Sequence, residues 1–189
     1  MNGAELISIL EESPIVSAVK DEEGLSECLR SDCRIVFVLF GNVLNVADIV
    51  SRIKRSGRLA LVHIDLIEGL SQKEIAVDFI REKTEADGII STRQQLIRYA
   101  RGRGLLTVQR FFLLDSLALG TIERQTAQYA PDLMEVLPGC LPKVIRRICA
   151  SSSVPLIAGG LIQDKEDIMT ALEAGAVGIS ATRPEIWRM

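Results

Sequence analysis

Two short segments near the C-terminal end of the sequence carry residue types suited to holding an anion. The run Val154–Leu161 is apolar until it reaches Gly159 and Gly160, and Gly178-Ile179 leads into Ser180, Ala181 and Thr182. Glycines leave backbone N–H groups uncovered and hydroxyls add further donors, so together the two segments suit a phosphate group. His63 and Asp65 stand two apart, which on a strand puts them on one side as an acid–base pair or as ligands for hydroxyls. We expect His63 to fill the interior with its nitrogens hydrogen-bonded, and Asp65 to meet a ligand. Glu135 interrupts the apolar run Leu133–Leu137. A carboxylate there needs a cation, and Lys20 and Arg110 are the candidates.

Positioning these residues falls to a regular alternation. Short runs rich in Val and Ile recur at Ile15–Val19, Ile35–Phe40, Leu59–Ile64, Gly88–Ile90, Leu105–Val108, Leu133–Leu137, Val154–Ala158 and Ala176–Ile179. The gaps hold amphipathic segments: Asn45–Arg55 groups Val46, Ile49, Val50 and Ile53 on one face, and Gln72–Lys83 and Asp164–Ala174 behave alike. Eight buried strands alternating with helices imply a parallel sheet. An open doubly wound sheet calls for a glycine-rich turn after the first strand, where Lys20-Asp21-Glu22-Glu23 stands instead. The expected fold is α/β, a small TIM-type (β/α)8 barrel forming a single domain over residues 1–189. In such a barrel the chemistry sits at the C-terminal ends of the strands, where all the residues above fall. Its final helix is truncated, because only Arg183–Met189 follow the eighth strand. The helix-like stretch Ala4–Glu11, or another subunit in a homo-oligomer, is expected to cover the gap.

Composition narrows the partners. The net charge is −3, so contact with a nucleic-acid backbone requires a local basic patch. The densest candidate is Arg93, Arg98, Arg101 and Arg103, with Arg52, Lys54, Arg55 and Arg58 as a second cluster. Cys28, Cys33, Cys140 and Cys149 form no Cys-x-x-Cys pair and His63 is the only histidine, which speaks against a metal site and for reduced thiols. No run approaches the roughly 18 apolar residues of a membrane span. The acidic N-terminus lacks the basic start of a secretory signal. A cytoplasmic protein without membrane contact is expected.

Six ordered blocks resemble the glycerol-3-phosphate-responsive antiterminator proteins of bacteria. They are Ser13–Lys20, His63–Leu70, Gly88–Thr92, Gln109–Ser116, Pro131–Gly139 and Ile157–Ile162, within a likeness running from about residue 13 to Trp187. The resemblance implies a regulator that binds glycerol 3-phosphate and then acts on leader mRNA so that transcription passes a terminator. No cofactor and no catalytic residue are implied. The phosphate then falls to Gly159, Gly160, Ser180, Ala181 and Thr182, and the glycerol end to Lys20, Asp65, Arg110 and Glu135. RNA falls to the arginines from Arg93 to Arg103. Two other readings compete: an isomerase or aldolase acting on a small phosphosugar in the same pocket, and a metabolite-sensing subunit that works through a protein partner.

Overall fold

A computed structural model describes residues 2–189. Eight parallel strands close into a barrel in sequential order: β1 Ile15–Val19, β2 Ile35–Val38, β3 Leu59–His63, β4 Gly88–Ser91, β5 Leu106–Phe112, β6 Leu133–Leu137, β7 Leu156–Gly159 and β8 Gly178–Ala181. Pairing of β1 with β8 closes the ring. A helix follows each of the first seven strands: α2 Glu22–Cys28, α3 Val46–Arg55, α4 Glu74–Lys83, α5 Gln94–Gly102, α6 Ser116–Gln128, α7 Pro142–Ser151 and α8 Lys165–Glu173. The architecture is the TIM-type (β/α)8 barrel that the alternation predicts. Among the described residues, no helix is long and apolar enough to cross a membrane.

Strand alternation divides the core. Ala18, Phe37, Leu61, Ile90, Val108, Leu133 and Ile157 point inward and fill the barrel, while Val36, Val62, Ile89, Met134, Val136, Ala158 and Ile179 point outward under the helices. The barrel is therefore a packed solid up to its last interior layer. That layer holds His63, Arg110, Glu135 and Ser180, all buried.

The N-terminal helix α1, Gly3–Glu12, departs from expectation. It does not cover the wall left open after β8. Its Leu6 and Leu10 are fully buried in the same cluster as the barrel-interior side chains. Gly3 lies against Asp132 before β6, Leu10 against Gly178 at the start of β8, and Glu12 pairs with Arg34 before β2 at 2.5 Å. Helix α1 thus plugs the N-terminal mouth. The reason is its narrow apolar stripe, two leucines one turn apart, which matches the end of a packed barrel better than the broad flank of two strands.

The open wall is closed by the C-terminus itself. A 3-10 turn, Ile186–Arg188, brings Ile186 and Trp187 under cover. The Trp187 indole packs with Val19, Leu25, Cys28 and Cys33 and donates from Nε1 to the Ala181 carbonyl at 2.7 Å. Arg188 pairs with Glu27 of α2 at 2.5 Å. One aromatic residue does the sealing that a helix does elsewhere in the ring. Trp187→Ala should therefore cost about 3–5 kcal/mol, the range for a buried large side chain. Urea denaturation followed by circular dichroism measures it, and a loss under about 1 kcal/mol would show the seal to be incidental.

Candidate functional site

The last interior layer opens into a cavity of about 380 Å³ at the C-terminal mouth. Its floor is polar and its walls are apolar: Arg110, Glu135 and Ser180 below, with Leu39, Leu137, Ile162 and Ala181 around. Strand register puts Arg110 of β5 directly beside Glu135 of β6. The Arg110 Nε donates to Glu135 Oε2 at 2.5 Å, and the Ser180 hydroxyl donates to Glu135 Oε1 at 2.5 Å. Glu135 is 1% exposed, and burying a charge there is offset by bonds to both oxygens and by the neighbouring guanidinium. Arg110 lines the cavity, and its terminal guanidinium nitrogens donate no hydrogen bond within the described residues.

Ser180 and Glu135 meet across β7 because Gly159 stands between them. A Cβ there would overlap the Ser180 Oγ and sit 2.9 Å from Glu135 Oε1. Gly159 therefore makes room for the network instead of facing the cavity.

Gly160 and Leu161 follow with φ of 72° and 59°. Left-handed backbone is ordinary for glycine but costs on the order of 1 kcal/mol or more for leucine. The turn they make carries the chain along the rim of the cavity. The N–H groups of Gly160, Leu161, Thr182 and Arg183 all lack a hydrogen-bond partner within the described residues, and all four residues line the cavity. The loops after β7 and β8 thus converge on one donor-rich corner. Leu161 and Arg183 were not singled out in the sequence. A leucine gives no sequence signal for positive φ, whereas Arg183 is recognisable as the residue following the Ser180–Thr182 run.

Lys20 lies outside the Glu135 network. It is exposed and shares an adjoining cleft with Thr182, Arg183 and Trp187. Arg110 is the counter-charge of Glu135.

Asp65 does not reach the cavity, and the expectation that it meets the ligand finds no support here. Its carboxylate accepts from the Ser91 hydroxyl at 3.0 Å, the Thr92 N–H at 2.8 Å and the Thr92 hydroxyl at 3.1 Å, pinning the end of β3 to the end of β4. Short donors on the next strand engage both of its oxygens.

His63 faces the interior, but one expected feature is missing: its Nδ1 is buried without a partner. Asp65 Oδ2 is 4.0 Å away, beyond hydrogen-bond reach. Burial, reinforced by the charge of Arg110, lowers the imidazole pKa from 6.5 to about 4, so the ring is neutral near pH 7.

The four arginines assigned to RNA do not gather at the rim. Arg93 sits there, bonded to Gln72 and 3.8 Å from Asp65. Helix α5 then carries the chain down the barrel wall, and Arg103 at its foot pairs with Asp78 at 2.9 Å. Arg98 and Arg101 lie between, over the ring of Tyr129 at 5.6 and 5.8 Å.

Comparison with known proteins decides the family. The model of the glycerol-3-phosphate responsive antiterminator family matches residues 15–187. The chain belongs to that family. An Escherichia coli protein, YgcP, is 41% identical over 184 residues, covering 97% of this chain and 96% of its own. The glycerol uptake operon antiterminator regulatory protein of Listeria monocytogenes superimposes with a TM-score of 0.89 at 29% identity, covering 93% of this chain and 95% of its own. A glycerol uptake operon antiterminator-related protein of Thermotoga maritima gives 0.80 at 30%, covering 93% and 98%. More distant barrels, aldolases among them at 15% identity, share the fold alone. The family is a regulatory one.

Two outcomes follow for this antiterminator-family site. Because folded His63 resists protonation, the unfolded chain binds one more proton between pH 6.5 and about 4. Stability should fall as the pH drops through that window, by up to about 3 kcal/mol from this group. A His63→Asn variant should lose correspondingly less over the same window in urea titrations at pH 7 and pH 4. Identical losses would show that His63 is not the group resisting protonation.

Proposed function

We propose that this chain is a glycerol 3-phosphate sensor which, once loaded, acts on the leader mRNA of glycerol-utilisation operons so that transcription continues past a terminator. The observation that carries the ligand is the donor corner formed by Gly160, Leu161, Thr182 and Arg183 above a polar floor. The phosphate occupies that corner, with the Thr182 hydroxyl and the Arg183 side chain beside it. The hydroxyl-bearing end lies on the floor, where the free nitrogens of Arg110 donate and Glu135 accepts. Membership of a regulatory family supports the downstream role. The protein acts within the cytoplasm, where that transcript and that metabolite are found.

A phosphosugar enzyme in the same cavity is the competing reading, and the floor argues against its commonest form. A Schiff-base aldolase needs a lysine in the barrel interior. All six lysines, Lys20, Lys54, Lys73, Lys83, Lys143 and Lys165, lie outside the strands. The buried cation is an arginine, which keeps its proton and cannot form the imine.

Calorimetry and a gel shift on leader RNA, each with and without glycerol 3-phosphate, test the reading together. Ligand-dependent RNA binding is expected. Gly160→Val puts a branched side chain at positive φ against Leu137 and should weaken the ligand at least tenfold, about 1.4 kcal/mol. RNA binding indifferent to the ligand, or turnover of a phosphosugar, would defeat the proposal.

A further inference from the structure

Charge is unevenly distributed around the barrel. On α2 and α8, which flank the seam sealed by Trp187, six carboxylates (Glu22, Glu23, Glu27, Glu166, Asp167 and Glu173) face one cation, Lys165. Helices α5, α6 and α7 reverse this. They carry Arg98, Arg101, Arg124, Lys143, Arg146 and Arg147 against the single carboxylate of Glu123. In the ring α6, after β5, stands opposite α2, after β1, while α7 packs beside α8, so the basic and acidic groups meet at the α7–α8 boundary.

The cations of the second group are also available. Only Arg147 meets a carboxylate, Glu123 at 3.5 Å, a distance of little strength for exposed side chains. Arg124 bonds the Thr121 hydroxyl, and Arg98 and Arg101 stack on Tyr129 while remaining exposed, Arg101 also donating to the Ala130 carbonyl, a bond that leaves its charge unpaired by any carboxylate. Lys143, Arg146 and Arg147 are spaced to share the outer face of α7. Arg93 and Arg103, held by Gln72, Asp65, Asp78 and Glu82, fall outside this set.

We propose that the band of cations across α5, α6 and α7 is the surface on which the RNA backbone lies. This rests on the functional reading above and adds where the RNA sits. Three features favour RNA. The band has the charge that phosphates seek on a protein whose net charge of −3 repels them elsewhere. It is convex: successive outer helices of an eight-membered ring turn by about 45°, so three of them present a curved wall that a flexible strand follows and a flat bilayer does not. It is also joined to the ligand corner. The Gly139 N–H, three residues before α7, donates to the Gly160 carbonyl at 3.0 Å. A phosphate drawing on the N–H groups of Gly160 and Leu161 pulls through that bond on the segment that places Lys143, Arg146 and Arg147. Such coupling requires that the ligand bind one pose of the loop better than another.

The test compares two triple variants of equal charge change. Lys143→Ala with Arg146→Ala and Arg147→Ala removes the α7 part of the band; Lys73→Ala with Arg81→Ala and Lys83→Ala removes three cations at the ends of α4. Glycerol 3-phosphate titration checks that both are folded and loaded. With glycerol 3-phosphate saturating, the α7 variant is expected to bind leader RNA at least tenfold more weakly. Its salt dependence should be shallower by about 2 in log K against log salt, at roughly 0.7 per lost single-strand phosphate contact. The α4 variant is expected to stay within about twofold of the parent. Equal binding by the α7 variant and the parent overturns the band, as does equal loss in both variants, which would reflect net charge alone. Loss confined to anionic phosphatidylserine vesicles, with RNA binding intact, overturns it in favour of a membrane surface. Failure of the parent itself to bind RNA defeats the functional reading first, a result distinct from the other three.

Discussion

The carboxylate of Glu135 sets the terms for the mouth of this barrel. Buried at the top of β6, it must be neutralised and fully hydrogen-bonded, and no single neighbour does both. Arg110 arrives from β5 by register and Ser180 from β8 by reaching across β7. That reach fixes the residue between them as glycine. The network also orients Arg110, whose inner nitrogen is tied down so that its outer nitrogens face the cavity. A charged pair with no net charge makes a floor that, on the proposed reading, meets hydroxyls without attracting or repelling a phosphate above it. On the same reading the anion falls to the backbone donors of the two loops, where no side chain needs to titrate.

Around this site the ring of helices is incomplete, and the chain solves the shortage at both ends. Trp187 seals the wall between α8 and α2, and α1 stops the bottom with two leucines. Both devices keep the barrel dry at the cost of few residues. Neither disturbs the C-terminal mouth, which stays free for the ligand loops.

Much of this was legible in the sequence, for identifiable reasons. Buried parallel strands announce themselves as Val- and Ile-rich runs, so all eight strands and the closed ring could be read, with ends shifted by a few residues. Gly160 and the Ser180–Thr182 segment, which line the cavity, drew notice because glycine and hydroxyl residues stand out at strand ends, whereas the packing role of Gly159 needed the folded structure. Glu135 stood out as a charge within an apolar strand, but naming its partner required register, which periodicity does not contain. For Asp65 the sequence shows that a carboxylate ends a strand, not that Ser91 and Thr92 wait on the next one. The role of α1 was misplaced for a related reason: an apolar stripe reveals that a helix is covered, never by what. The charged face of α5–α7 is legible only once the helices are arranged in a ring, because its members lie up to 49 positions apart in sequence.

The seating of α1 has a consequence for how the chain is made. Its leucines dock on a floor completed only when β8 is in place, with Leu10 against Gly178. Helix α1 precedes every strand in the chain, yet its seat is completed only by the last of them. Until β8 is made, Leu6 and Leu10 lack part of that floor, and the nascent chain carries their apolar stripe incompletely covered while β1 to β7 are synthesised.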